Sequence, residues 1–297
     1  MEGHTSTISA LVFLPDSRRL VSSSHGGTIR VWEVEEGRQL GIMHHGSGVT
    51  AMAASSDGSL LASGGADGTV AVWRVASWTN AVVPSRKHSS SVRGVSFSAD
   101  SKQLATVSDD RTVFIWDTST GEVVAGPLEG HKSGILSVTF SPDASQLATG
   151  AEDGSIRVWN IVSGELVSSP LTNLAGNPIL ALAWLGEKQL VSAAYKSIIF
   201  LNPITGSLLY EHINAHGSWV RSIAAYREGG RIATGSEDGR VILWDTDGTP
   251  RQLASAHAGA NEVCAVALSP DSCCLAGGYR DHNIRLWSLE DMIIDDG

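Results

Sequence analysis

An all-β fold, a seven-bladed β-propeller of four-stranded antiparallel blades, is what this sequence predicts, and three observations carry the prediction. Five histidines, His4, His45, His88, His131 and His216, each stand 28 residues ahead of a tryptophan. The repeat ends Trp32, Trp73, Trp116, Trp159, Leu201, Trp244 and Trp287 advance in steps of 41, 43, 43, 42, 43 and 43 residues. Inside each step three segments alternate with a period of two between turn residues, and no helical stretch interrupts them. A unit of that size cannot bury its own apolar face, so copies must stack, and seven of them close radially.

The most regular unit, residues 129–160, shows how each blade is built. Residues 135–140, 146–150 and 155–161 read as strands, separated by turns at Pro142-Asp143 and Asp153-Gly154. A fourth, more variable strand is expected after each tryptophan, as in 38–43, 122–125, 165–168 and 207–212. The repeats then run 2–43, 44–84, 85–128, 129–171, 172–213, 214–253 and 254–297, a single domain with no room for a linker.

Blade by blade, the departures matter more than the matches. Blade 1 has Gly26 where others have a turn Asp. Blade 5 is eroded, with Ala175 at the His position, Leu201 for Trp and a shortened turn at Tyr195-Lys196. Blade 7 has Gly277 at the Ser/Thr position and two extra residues within 258–262. At the ends, Met1, Glu2 and Gly3 are too few for a strand, so residues 291–296, with Met292, Ile293 and Ile294, are expected to complete blade 7. Closure would rest on packing between blades 7 and 1, the weakest seam of the ring, or the chain is cut from a longer protein whose upstream segment supplied the clasp.

Composition limits the function classes. With 42% hydrophobic and 18% charged residues, the chain can bury a large core. A formal charge of −10 with only 21 Lys and Arg argues against a nucleic acid partner. Cys264, Cys273 and Cys274 fall in the last repeat, and the adjacent pair faces opposite sides of a strand, so a reducing compartment is expected. No apolar run follows Met1, and none approaches the roughly 20 residues of a membrane helix. The expected location is the cytoplasm, with the nucleus second.

Gly130-His131, Ser141-Pro142-Asp143, Leu147-Ala148-Thr149-Gly150, Asp153-Gly154 and the Trp-Asp pairs at Trp116-Asp117 and Trp244-Asp245 carry a resemblance. Over essentially the whole chain this pattern resembles the WD-repeat β-propeller family, of which the G-protein β subunit is a member. The resemblance is specific for fold and almost silent on function.

Four blades hold a set that imitates a catalytic triad: His45, Ser63, Asp67 and Trp73; His88, Thr106, Asp110 and Trp116; His131, Thr149, Asp153 and Trp159; His216, Thr234, Asp238 and Trp244. A triad is needed once, beside an oxyanion hole, whereas this set recurs and ends in an indole donor. The family resemblance implies a structural tetrad instead, running from Trp N–H to hydroxyl, to His, to the turn Asp. Each bond to a charged group in it is worth about 1.5 to 3 kcal/mol. No Cys-x2-Cys or His-x3-His spacing occurs, so no metal is expected, and no phosphate-loop glycine pattern points to a cofactor.

The resemblance places the partner surface on the face of the His loops. One position there reads Thr7, Gly48, Ser91, Gly134, Pro178, Trp219 and Glu262; a second reads His25, Ala66, Asp109, Glu152, Glu237 and Arg280; a third, at the channel, gives Arg93 and Arg221. Trp219 has no repeat-level job, and aromatics and Arg are enriched in binding hot spots; otherwise it packs on the blade 5 loop near Pro178. Acids at Asp109, Glu152 and Glu237 with Arg93, Arg221 and Arg280 suggest a protein or peptide of basic or mixed charge. A methyl-lysine reader would need an aromatic cage, which Trp219 alone cannot supply, and a phosphopeptide reader would need the three arginines to converge. The expected protein is a non-enzymatic scaffold or adaptor, monomeric by itself, with a sensor module of a larger signalling protein as the alternative and an enzyme last.

Overall fold

Seven innermost strands, Ile8–Phe13, Val49–Ala54, Val92–Phe97, Ile135–Phe140, Ile179–Leu185, Val220–Ala225 and Val263–Leu268, line a central channel, each packed against the next and the last against the first. The computed structural model describes residues 1–82, 88–168, 171–172, 176–212, 214–226, 229–257, 259 and 261–295. Each inner strand begins an antiparallel sheet that proceeds outward in chain order. Six sheets have four strands and the seventh has three. The chain is a seven-bladed β-propeller, all-β apart from one short helix.

Period-two alternation produces the sheets, and the cores lie between them. Odd and even residues of a strand face opposite neighbours, so both faces are apolar and both are covered. Leu147 and Trp159 of blade 4 pack with Val113 and Ile115 of blade 3, while Ile156 and Val158 pack with Leu190 and Ile199 of blade 5. Where blades come closest, a side chain is omitted: a Cβ on Gly278 of blade 7 would stand 2.5 Å from Ile8 of blade 1. Gly64 of blade 2 is another such close-packing position, where a Cβ would stand 2.5 Å from Val92 of blade 3.

Blade 5 keeps its sheet without its motif. Gln189–Ala194, Ser197–Leu201 and Leu208–His212 complete it behind the inner strand. Ala175 lies outside the described residues. The fourth strand of blade 4 differs from expectation: Leu166 makes a single bridge to Trp159, and the strand proper is Leu171–Thr172.

The chain ends contradict the sequence reading. Residues from Leu289 to Asp295 form a helix, where a strand is expected; Glu290 and Asp291 occupy its first turn, favoured by the helix dipole. Leu289 and Met292 are buried and Ile293 packs beside them, a helical three-and-four spacing that faces the core shared with blade 6. Met1, in a stretch expected to be too short for a strand, bonds Ile284: its α-ammonium donates to the Ile284 carbonyl at 2.8 Å, and the Ile284 N–H donates to the Met1 carbonyl at 3.1 Å. One rung of a fourth strand thus joins blade 7 to the residues leading into blade 1.

Candidate interaction face

The loops that enter each inner strand carry the histidines, and five of these rings are braced in the same way. Trp32, Trp73, Trp116, Trp159 and Trp244 donate from Nε1 to Ser22, Ser63, Thr106, Thr149 and Thr234 at 2.8 to 2.9 Å. Those hydroxyls bond His4, His45, His88, His131 and His216 at 2.7 to 2.9 Å. Trp and hydroxyl lie on neighbouring strands, two residues apart in register, so the bond crosses one hairpin and the His ties the incoming loop to it.

Beyond the imidazole the blades divide. His88 meets Asp110 at 3.1 Å and His216 meets Asp238 at 3.2 Å. In blades 2 and 4 the His instead reaches a hydroxyl, Thr69 at 3.0 Å and Ser155 at 3.1 Å, and that hydroxyl donates to Asp67 or Asp153 at 2.6 Å. The expected direct His to Asp bond of these two blades is a relay through the hydroxyl two places after the Asp; in blade 3 that position, Thr112, also lies 3.2 Å from His88 Nδ1 beside the direct bond. Blade 1 has a network too: Gly26 supplies no carboxylate, and His4 ends on Thr28 at 2.8 Å. Burial pushes His4 and His131 down to about 4, helped by Arg30 and Arg157 respectively, so the rings are neutral hydrogen-bonding groups near neutral pH. These sets are braces without a nucleophile's surroundings.

Blades 5 and 7 show what replaces the brace. Ser192 stands at the hydroxyl position of blade 5, fully buried, and among the described residues its Oγ has no hydrogen-bond partner. In blade 7, Tyr279 is fully buried beside Gly277 and Trp287, with the Arg285 guanidinium 4.4 Å over its ring. An aromatic and cation–π stack thus occupies the site that Gly277 leaves without a hydroxyl.

On the outer surface of this face the first two position classes pair by a recurrent backbone bond. His25, Ala66, Asp109, Glu152, Glu237 and Arg280 donate their N–H to the carbonyls of Thr7, Gly48, Ser91, Gly134, Trp219 and Glu262 at 2.8 to 3.1 Å. Of the second class, Asp109 leans over the next blade. Asp109 and Glu152 both approach Gly134: a Cβ there would be 3.1 Å from Asp109 Oδ1 and 3.2 Å from the Glu152 carboxyl carbon.

The arginines do not converge. Arg93 lies 3.5 Å from Asp109, Arg221 is paired with Glu237, and Arg280 with Glu262 at 2.6 Å, each within its own blade. Blades 3 and 4 together keep an excess of acid. Burial pushes the Asp109 carboxyl above its ordinary value; Arg93 opposes this, and Glu152 and Asp110 add to it. Asp109 Oδ1 is buried; Arg93 Nε lies 3.5 Å from it, and among the described residues no group hydrogen-bonds it.

Trp219 is half-buried and meets Tyr195, which sequence reasoning missed. The shortened blade 5 turn puts Tyr195 in the second position class, where the missing residue should have signalled it. Val220 N–H donates to the Tyr195 carbonyl at 2.7 Å, and Lys196 Nζ lies 5.2 Å over the Tyr195 ring. A cavity of about 1120 Å³ opens at the other mouth of the channel, lined by Phe97, Phe140, Trp184 and Tyr226 among others, and includes none of the expected partner residues. Among the described residues no cluster of His, Cys, Asp and Glu could hold a metal, and no helix is long and apolar enough to cross a membrane.

A family model described as "WD domain, G-beta repeat" matches residues 1–33, 37–74, 82–117, 122–160, 206–245 and 248–288. Two relatives from Oryza sativa subsp. japonica are similar over part of the chain. Small ribosomal subunit protein RACK1y is 26% identical over 106 residues, 35% of this chain and 30% of the relative. Small ribosomal subunit protein RACK1z is 30% identical over 87 residues, 29% of this chain and 25% of the relative. The match therefore spans less than a third of the length of either. The solved structure of U3-55K superposes with a TM-score of 0.86 at 25% identity, covering 94% of this chain and 90% of that one. The RRP9 WD40 repeats do so at 0.86 and 25%, covering 97% and 92%.

Proposed function

The chain belongs to the WD-repeat family of G-beta repeats, and from that premise we propose that it is a non-enzymatic protein-interaction platform whose His-loop face holds a basic peptide segment. The fold alone does not choose among functions, so the reading rests on the site. Its carrying observation is the Asp109–Glu152 pair around the bare Gly134, where Arg93 lies against Asp109 and, among the described residues, no salt bridge reaches Glu152. A partner Lys or Arg seated over Gly134 would donate a hydrogen bond to Asp109 Oδ1 and offset the burial, reinforced by Glu152, that raises its carboxyl.

Arg221, Glu237 and Arg280 form the flank of the same platform, and Trp219 with Tyr195 its apolar end. A phosphopeptide is disfavoured, since each arginine is already engaged by its own acid. An enzyme is disfavoured because the His, hydroxyl and Asp sets recur as braces. Residues 1–297 are read as one seven-repeat unit, monomeric by itself, in the cytoplasm or nucleus. The similarity to proteins named for the small ribosomal subunit supports membership of a protein assembly.

Affinity capture from lysate with the intact chain and with an Asp109→Asn, Glu152→Gln variant tests the reading. Basic partners captured by the intact chain should be lost by the variant and weakened by salt. Equal capture by both would remove the acidic pair from the site.

A further inference from the structure

In blades 3, 4, 5 and 6 the turn after the third strand opens on a capping side chain. Asp117, Asn160, Asn202 and Asp245 each accept the N–H of the residue two places on, at 2.8 to 3.0 Å. In four blades the same turn ends on a glycine in the left-handed region: Gly37, Gly121, Gly164 and Gly206, at φ of 64 to 72°. Both devices favour this backbone, since the Asx side chain holds the turn and glycine enters that region without steric cost. Blade 2 has neither. Arg74 stands at the capping position and Trp78 at the glycine position. The chain makes the same turn nonetheless, with the Trp78 N–H on the Arg74 carbonyl at 2.7 Å and a Trp78 φ of 55°. A bulky residue in that conformation is strained.

The turn that breaks the pattern is one wall of a cleft. An opening of about 410 Å³ lies between blades 1 and 2, lined by Arg19, Leu60, Arg74, Val75 and the Gly58-Ser59 turn. Among the described residues no carboxylate lines it. Arg19 is hydrogen-bonded to Asp16 through Nε alone, at 2.6 Å, and no ion pair of the described residues includes the exposed Arg74. Trp78 closes the turn and is half-buried against the core shared by blades 1 and 2, the two blades that the cleft divides. Arg and Trp are the side chains most enriched in binding hot spots, and strain without a local gain marks a position under another demand.

We propose that this cleft is a second docking site, on the face opposite the His loops, for a peptide segment that carries a carboxylate beside an apolar residue. The carboxylate pairs with Arg74 and with the terminal N–H groups of Arg19, and the apolar residue covers Leu60 and the exposed part of the Trp78 indole. Charge selects the partner. In a chain of formal charge −10, a cleft lined by two cations and no acid is complementary to carboxylates, and its apolar wall suits a peptide side chain. The site shares no residue with the Asp109–Glu152 pair and is opposite to it in sign, so one platform holds a basic segment on one face and an acidic segment on the other.

The test uses the full chain and a labelled short peptide of alternating Glu and Leu, read by fluorescence anisotropy and by the indole N–H resonances of the protein. The Trp78 resonance, identified by its loss in Trp78→Gly, should move and saturate with the peptide. The same peptide with Gln in place of Glu should bind about tenfold more weakly. Arg74→Asp with Trp78→Gly restores the cap and the glycine that other turns have. That variant should lose the peptide while its urea midpoint stays level or rises, which separates binding from folding. A stationary Trp78 resonance, equal binding of the Gln peptide, or unchanged affinity in the double variant overturns the proposal. A lowered urea midpoint in the double variant overturns it as well, since Arg74 and Trp78 would then serve stability.

Discussion

The Tyr195 ring stands edge-on to the Trp219 indole, centroids 4.9 Å apart and planes inclined by 76°. The contact joins blade 5 to blade 6 at the point where the blade 5 turn is shortest. Trp219 therefore has a structural task that its place among Gly, Ser and Pro concealed. A double-mutant cycle on Tyr195→Ala and Trp219→Ala, read by urea unfolding, should return a coupling of about 0.5 to 1.5 kcal/mol. Zero coupling would leave Trp219 to a partner alone.

The two forms of the tetrad predict unequal costs. Asp110 and Asp238 accept directly from a buried His, with side chains only 8% and 13% exposed, whereas Asp67 and Asp153 are exposed and act through a hydroxyl. Asp110→Asn and Asp238→Asn should each cost about 1.5 to 3 kcal/mol, and Asp67→Asn and Asp153→Asn about 0.5 to 1.5. The ranking of urea midpoints checks this; equal losses would contradict the relay geometry.

Ser192 predicts a gain. Its buried hydroxyl has lost the indole donor, because Leu201 stands in that place, and a buried polar group without a partner costs about 1 to 3 kcal/mol. Ser192→Ala should leave the urea midpoint unchanged or raise it. Thr149→Ala, which removes a hydroxyl bonded on both sides, should lower it.

Acid should loosen the ring well above carboxylate pH. His4 and His131 are held near 4 against an ordinary 6.5, and burial lowers His45, His88 and His216 as well. Below 6.5 the unfolded chain takes up protons that the folded chain refuses, so stability rises with pH across this window. It is complete above about 6.5 and falls as pH drops toward 4, by up to roughly 2 kcal/mol for each of His4 and His131 at pH 5. Unfolding midpoints at pH 7.5, 6 and 5 measure it, and His131→Gln should flatten the slope. A midpoint indifferent to pH over that range would contradict neutral, buried rings.

Seven blades were legible because tryptophan spacing and period-two alternation are each set by geometry that every blade shares. The bracing histidines were legible by their fixed distance to Trp. The hydroxyls Thr28, Thr69 and Ser155 were not, although each lies two residues past the turn position, because which way an imidazole turns depends on the packed loop. Leu289, Met292 and Ile293 carry a helical spacing that the expectation of a completing strand obscured. Tyr195 was passed over because a deletion removes the alignment that would identify it. The paired state of Arg93, Arg221 and Arg280 depends on side-chain reach across strands, which sequence order does not encode.

Each brace is closed within one blade, while neighbouring blades meet mainly through apolar packing. That division has an evolutionary consequence. A lineage can mutate the motif of one blade without forcing compensating changes in the next, and blade 5 is such a case: its first three strands lie in the stretch 161–205 that the family model does not match, yet its sheet has four strands. Divergence in this chain can proceed blade by blade, and a surface can be rewritten locally while the ring that displays it is inherited intact.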